Sequence, residues 1–235
     1  MAIKSGETTY HQAKRGIVQN GLVLNLDAGV DASYDGGTTW RDLEGGNNGT
    51  LTNGPTFDSD NGGSIALDGT NDLVDCGNIT ELNNANEYSV FVWLKFISGK
   101  YYGKLTSRQH GAVLDMHSGN NNTHLIIVDP VGSKQISSYF SASVGTELAS
   151  GWTFVSFTYK SGDSYNFYKN GQNIHTASRS TAQVSTSSNS FIVGNRSDAA
   201  RPIQGNIATV NIYNRALTAT EVLQNYNATR HRFGV

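Results

Sequence analysis

The chain has six glutamates to offer acid–base chemistry: Glu7, Glu44, Glu81, Glu87, Glu147 and Glu221. A retaining glycosidase needs two carboxyl groups about 5–5.5 Å apart, one as nucleophile and one as acid/base. A spacing such as Glu-x-Asp-x-x-Glu along one strand supplies that pair. No two of these glutamates stand at such a spacing, and most fall in expected turns. Gly-x-Ser-x-Gly, a phosphate-cradling loop, His-Glu-x-x-His and Cys-x-x-Cys are also missing from the sequence. The expectation is therefore a protein that binds and does not catalyse.

Binding leaves three groups of residues to weigh. Asp68 and Asp72, with Asp27, could offer oxygens to Ca²⁺, a hard cation that takes six to eight. The plainer reading is that Asp68-Gly69 makes a turn in which the aspartate bonds its own backbone, so no metal site is assigned. His110, His117 and His124 are evenly spaced, and Asp115 shares a face with His117 if that segment is a strand. Imidazoles suit transition metals, yet sequence alone does not bring the rings together, and solvated or hydrogen-bonded histidines are the simpler account. Sugar recognition calls for exposed aromatic rings with amides or carboxylates nearby. Trp40, Tyr101 and Tyr102 lie in or near expected loops and are the candidates, whereas Trp93 and Trp152 are assigned to the core.

At 235 residues with a formal net charge of −2, the chain has no electrostatic footprint for nucleic acid or an anionic membrane. No apolar run approaches the ~20 residues of a membrane helix. Residues 1–16 have no apolar stretch of the kind a secretory leader carries. Cys76 is the single cysteine, which rules out an internal disulfide and reads as a buried, inert thiol. Five Asn-x-Ser/Thr sequons, at Asn48, Asn78, Asn121, Asn195 and Asn227, read as coincidence in an Asn-rich chain.

The elements that must position these residues are mostly strands. Gly21–Ala28 reads as the first, with Leu22, Leu24 and Leu26 on one side. Tyr88–Phe96 is apolar on nearly both faces and should lie centrally. Trp152–Lys160 alternates, Gly162-Asp163 turns it into Tyr165–Tyr168, and Asn170-Gly171 is a hairpin signal. Shorter strands are expected at 101–105, 112–117, 123–128 and 135–140. In the stretch 205–213, Ile207, Thr209, Asn211 and Tyr213 should share one face and Ala208, Val210 and Ile212 the other. Thr218 and Glu221 then form a capping box that opens a short helix with Val222, Leu223 and Tyr226 as its stripe. About a dozen strands at short spacing argue for a sandwich or a barrel.

Several blocks in order resemble laminin G-like (LamG-type) domains of the concanavalin A-like superfamily. They are Gly21–Asp27, Asn47–Leu51, Leu67-Asp68-Gly69-Thr70-Asn71-Asp72-Leu73-Val74, Tyr88–Leu94 with Trp152–Tyr159, Phe167–Gly171, and Ile212–Thr218 with Glu221. The resemblance implies an all-β, concanavalin A-like jelly-roll β-sandwich with one short C-terminal helix, over residues 21–229. Residues 1–20 would be an N-terminal docking arm and 230–235 a C-terminal tail. Gly21–Ala28, Thr50–Pro55 and Tyr213–Phe233 look like LamG-type proteins of tailed phages of marine and cyanobacterial hosts, where such domains are usually virion structural proteins. That resemblance implies a capsid decoration or outer surface protein of the virion, made in the host cytoplasm and oligomeric in its assembly. Its partners would be other virion subunits such as the major capsid protein, with Lys14, Arg15, Arg230, Arg232 and Phe233 docking and the sandwich meeting host-surface glycans. The alternative is a carbohydrate-binding tail or fibre module for host adsorption, and a glycan-active hydrolase comes third. Some relatives bind Ca²⁺ at a rim, but Ala208 after Gly205-Asn206-Ile207 departs from their acidic pattern, so the resemblance carries no ion across.

Overall fold

In the computed structural model, residues 16–97, 151–178 and 188–235 are described with their side chains. Residues 98–99, 103–107, 114–119, 122–128 and 135–137 are described by backbone. The strands are β1 (Leu22–Asp27), β2 (Thr39–Trp40), β3 (Gly49–Thr52), β4 (Thr56–Asp58), β5 (Ser64–Asp68), β6 (Leu73–Asp75), β7 (Glu87–Gly99) and β8 (Gly103–Ser107). They continue with β9 (Leu114–Gly119), β10 (Asn122–Val128), β11 (Gln135–Ser137), β12 (Trp152–Lys160), β13 (Ser164–Lys169), β14 (Gln172–Ser178), β15 (Ile192–Val193) and β16 (Ile203–Tyr213). Among the described residues one α-helix, α1 (Ala219–Thr229), follows and runs into a 3₁₀ turn at Arg230–Phe233.

Two antiparallel sheets form a sandwich. The first runs β14-β13-β12-β7-β16-β5-β4, and β1 also pairs with β16. The second runs β11-β10-β9-β8-β15-β6-β3-β2. β1 takes the Thr209–Tyr213 end of β16 and β5 the Gln204–Ile207 end, so the two lie end to end along one side of it. β7 sits between β12 and β16, the central place its apolar run requires. Tyr88, Val90, Val92 and Leu94 of β7 enter the core between the sheets with Leu24, Leu26, Phe157, Phe167, Val210 and Ile212. Cys76 lies in the same core, and burial pushes its thiol pKa far up, so it stays protonated and unreactive.

A second apolar cluster covers the outside of the first sheet. Phe91 and Trp93 of β7, Phe154 of β12, Tyr168 of β13 and Tyr213 of β16 pack under Leu217, Val222, Tyr226 and Phe233. Ile17 and Val18 join it. The helix is held by the capping box read from sequence, with Thr218 accepting from the Glu221 amide and Glu221 reaching back to the Thr218 amide. Glu221 also takes a two-pronged ion pair from Arg215, at 2.9 and 2.6 Å.

Two expected faces are corrected by bulges, since one extra residue in a strand moves what precedes it to the opposite side. In β1 the register shifts between Leu22 and Leu24. Leu22 therefore packs in the outer cluster while Leu24 and Leu26 enter the inter-sheet core. In β16 the shift against β7 falls between Ile207 and Thr209. Ala208 is the extra residue, and Ile207 joins Val210 and Ile212 in the core instead of Thr209 and Tyr213.

The C-terminal residues 230–235 are not a free tail. Phe233 is buried, its ring 4.1 Å from that of Trp93 and 4.8 Å from that of Trp152. Arg232 meets Asp27 at 2.5 Å, donates to the Asn61 carbonyl at 2.6 Å and also donates to the Gly63 carbonyl. A cation among half-buried acceptors folds back because those carbonyls and that carboxylate would otherwise lose their hydrogen bonds.

Candidate functional site

Where the outer cluster ends, the same sheet face turns polar. The outward residues of β7 run Trp93, Phe91, Ser89, Glu87, and those of β12 run Phe154, Ser156, Thr158, Lys160. Both strands thus pass from apolar to hydrophilic toward one rim. The turn Ala216–Ala219 overhangs this boundary and leaves a groove of about 250 Å³. Its walls are Glu87, Thr158, Lys160, Asp163, Ser164 and Asn166, and its apolar part is Tyr168 with Leu217.

The walls are held in place by specific bonds. Ser89 donates to the Arg215 carbonyl at 2.8 Å and accepts from the Leu217 amide at 2.9 Å, which fixes the overhang. Glu87 Oε2 accepts from the Ala216 amide at 3.4 Å. Lys160 stands opposite Glu87 across the strands, its Nζ 3.8 Å from Glu87 and 4.0 Å from Asp163. The two carboxylates thus flank one ammonium. That is an ion-pair arrangement and not a nucleophile facing an acid across a bond. On the adjoining surface Asn166 donates to Thr158 Oγ1 at 3.3 Å and accepts from Thr176 at 2.7 Å and Asn173 at 3.3 Å. The result is a fixed row of amide, hydroxyl and charged groups beside a partly apolar floor, suited to a ligand with many hydroxyls.

The sequence-based site residues are not brought together here. Trp40 is corrected: it is 0 % exposed, in the inter-sheet core, and presents no face for a sugar ring. Its two-residue strand β2 pairs with β3, and that pairing buries the ring. Tyr101 and Tyr102, like Lys14 and Arg15, lie outside the described residues. Of the docking set, Arg232 and Phe233 are corrected as packed on the domain itself. Arg230 is exposed and lies 5.7 Å over the Tyr226 ring.

Asp27, Asp68 and Asp72, weighed above as oxygen donors, each accept hydrogen bonds from the fold itself. Asp27 serves Arg232 and the Gly29 amide. Asp68 accepts from the Thr70 amide at 2.7 Å, the turn read from sequence, and Asp72 accepts from the Asp68 amide at 2.9 Å. Burial raises the Asp72 pKa, with the Asp68 charge adding to it. Among the described residues no three His, Cys, Asp or Glu side chains converge on a metal position.

Glu87, Lys160, Asp163 and Asn166 were not singled out as site residues. The signal was present in the alternation of polar residues at Thr158, Lys160, Ser164 and Asn166 around the Gly162-Asp163 turn.

Two sheets in this order, one helix on the outer face and the match of a family model over residues 68–223 decide the family. The chain belongs to the concanavalin A-like lectin/glucanases superfamily, through its Laminin_G_3 family. No curated protein sequence matches it. Among solved structures, this concanavalin A-like domain is similar to the binding domain of Paraclostridial Mosquitocidal Protein 1. That match has 17% identity and a TM-score of 0.66, covering 88% of this chain and 52% of the other. The botulinum neurotoxin D receptor-binding domain gives 18% identity and a TM-score of 0.66, with 88% and 52% covered. Domain 4 of AbnA, a GH43 extracellular arabinanase from Geobacillus stearothermophilus, in complex with arabinotriose, gives 20% identity and a TM-score of 0.63, with 90% and 100% covered. The concanavalin A-like domain thus spans about half the length of the toxin binding domains and the whole of the arabinanase domain. At these identities the likeness is one of fold.

Proposed function

We propose that this domain is a non-catalytic, lectin-like module that binds a glycan in the groove at Glu87, Lys160 and Asn166. The observation that carries the reading is the groove itself, a fixed polar row beside Tyr168 and Leu217 in which Lys160 stands between both carboxylates. The similar arabinanase domain was solved with arabinotriose, and the similar toxin domains are named for receptor binding, which supports the same direction. A glycan array probed with the purified chain tests it. Binding should fall at least tenfold in Asn166→Ala and in Glu87→Gln. Undiminished binding in the double variant would refute the groove. Loss confined to Tyr102→Ala would refute the groove in favour of that tyrosine.

A second reading concerns where the module works. We propose that it is carried on the outside of a tailed-phage virion, docked on neighbouring subunits through its N-terminal arm. The supporting observation is that the arm leaves beside the helix. The Gly16 carbonyl accepts from Gln224 at 2.8 Å and the Val18 amide donates to Asn225 at 2.8 Å. Arm and exposed Arg230 would then face one neighbour. Deleting residues 1–15 should abolish incorporation into particles; unchanged incorporation would refute the docking role.

A further inference from the structure

The polar face does not stop at the groove. β12, β13 and β14 are neighbours at one end of the first sheet, with Thr158 opposite Asn166 and Asn166 opposite Thr176. Asn166 is half-buried, while Asn173 and Thr176 on the outermost strand are exposed. Hydrogen bonds within this row use up its donors. Thr176 donates its one hydroxyl hydrogen to Asn166 Oδ1 at 2.7 Å. Asn173 Nδ2 donates to the same oxygen at 3.3 Å and to Thr176 Oγ1 at 3.0 Å. Asn166 Nδ2 in turn donates to Thr158 Oγ1 at 3.3 Å and Ser164 Oγ at 3.5 Å. What the row leaves unused is lone pairs, on the Asn173 carbonyl oxygen and on Thr176 Oγ1. At the groove end the Glu87 and Asp163 carboxylates stand 3.8 and 4.0 Å from Lys160 Nζ, too far for hydrogen bonds to it. Their oxygens add to the same surplus of acceptors.

Resting on the glycan-binding reading of the groove, we infer that the site runs on over β13 and β14 and takes a linear, uncharged oligosaccharide. Sugar hydroxyls are the donors that such a surface lacks. An acidic sugar would bring further acceptors to a row of lone pairs, and a negative charge to two carboxylates that one lysine balances only in part. The length follows from the sheet. Neighbouring strands lie ~4.8 Å apart, roughly the advance of one pyranose ring along a glycan, so a chain laid across β12, β13 and β14 places about one ring on each, three in all. The first ring sits by Lys160 in the groove, the second over Asn166 and the third against Asn173 and Thr176.

The test is calorimetric titration of the full chain with xylose-, mannose- and arabinose-based oligomers of one to five units, and with oligogalacturonates of the same lengths. Affinity for at least one neutral series should climb at least tenfold from one unit to three and then level off, and the galacturonates should bind at least tenfold more weakly. Asn173→Ala combined with Thr176→Ala should weaken the trimer at least fivefold and leave the dimer unchanged, a pattern that misfolding does not produce. Affinity that is flat with length, a galacturonate trimer bound as tightly as the neutral one, or no binding of any neutral series would overturn the inference. If glycan binding under any of those outcomes still fell in Asn166→Ala, the groove itself would stand. Trimer binding indifferent to Asn166→Ala would bring down the groove and its extension together.

Discussion

Phe233→Ala tests whether the last residues are part of the fold. The ring is 6 % exposed and lies against Trp93, Trp152 and the helix that carries Tyr226. A buried phenylalanine truncated to alanine costs about 3–5 kcal/mol. Phe233 sits at the rim of its cluster, where water and neighbouring rings can refill part of the space, so the low end, about 3 kcal/mol, applies. Urea denaturation followed by tryptophan fluorescence is the assay, because two of the three tryptophans touch this ring. With a denaturant slope of about 3 kcal/mol/M, the midpoint should fall by about 1 M. Far-UV circular dichroism should give the same midpoint, since the cluster spans sheet and helix. A fall below about 0.3 M would mean that the residue behaves as a solvated tail and would refute the packing argument.

Three further outcomes follow from other contacts. The ion pair from Arg215 holds the Glu221 carboxyl at a pKa of about 2, well below its ordinary 4.5. Its contribution is fully present above about pH 4.5 and drains away as pH falls toward 2. It amounts to about 2 kcal/mol once solvent screening is allowed for. Acid titration of stability should show that slope in the parent chain and a flatter one in Glu221→Gln. Tyr213→Phe removes a hydroxyl that donates to the Val18 carbonyl at 2.9 Å and accepts from Asn225 at 3.0 Å. Thermal melts should show about 2 kcal/mol lost, and hydrogen exchange should rise at Val18. Gly205 has φ +153°, and a methyl there would strike the Lys95 carbonyl of β7. Gly205→Ala should cost about 3 kcal/mol or more in denaturant, against under 1 kcal/mol for Gly46→Ala, whose Cβ would meet nothing and whose φ is not in the left-handed region.

The strands with strong patterns were legible because burial on both faces writes itself into composition. β7 and β12 lie where their apolar runs place them, and the capping box marked the helix start to the residue. The bulges were not legible, since Leu22 and Ile207 alternate as well as their neighbours do, and only pairing reveals the slipped residue. Trp40 was misplaced for a related reason. Its surroundings are polar, so its burial comes from a distant strand pairing that no local pattern encodes. Trp152 was assigned to the core and is half-buried, its indole donating to Asn61 at 2.9 Å. The basic run Arg230-His231-Arg232 looks like a solvated tail, yet Arg232 has a carboxylate and two carbonyls waiting some 170 residues or more upstream. The groove was legible only as alternating polarity, because what makes it concave is the overhang of Ala216–Ala219.

The position of β16 sets an order of events during synthesis. The strand that joins β1, β5 and β7 into one sheet comes off the ribosome after all of them. Until residues 203–213 emerge, β7 lacks its neighbour on one side, and β1 and β5 have no shared edge to line up on. A nascent chain stopped short of Tyr213 therefore holds unpaired backbone along three strands, the kind of edge that recruits other chains. Long-range closure of this sort is slow. Chains truncated before β16 should accumulate as aggregates, whereas chains ending after Tyr213 should close the sheet and lose only the cover over its outer face.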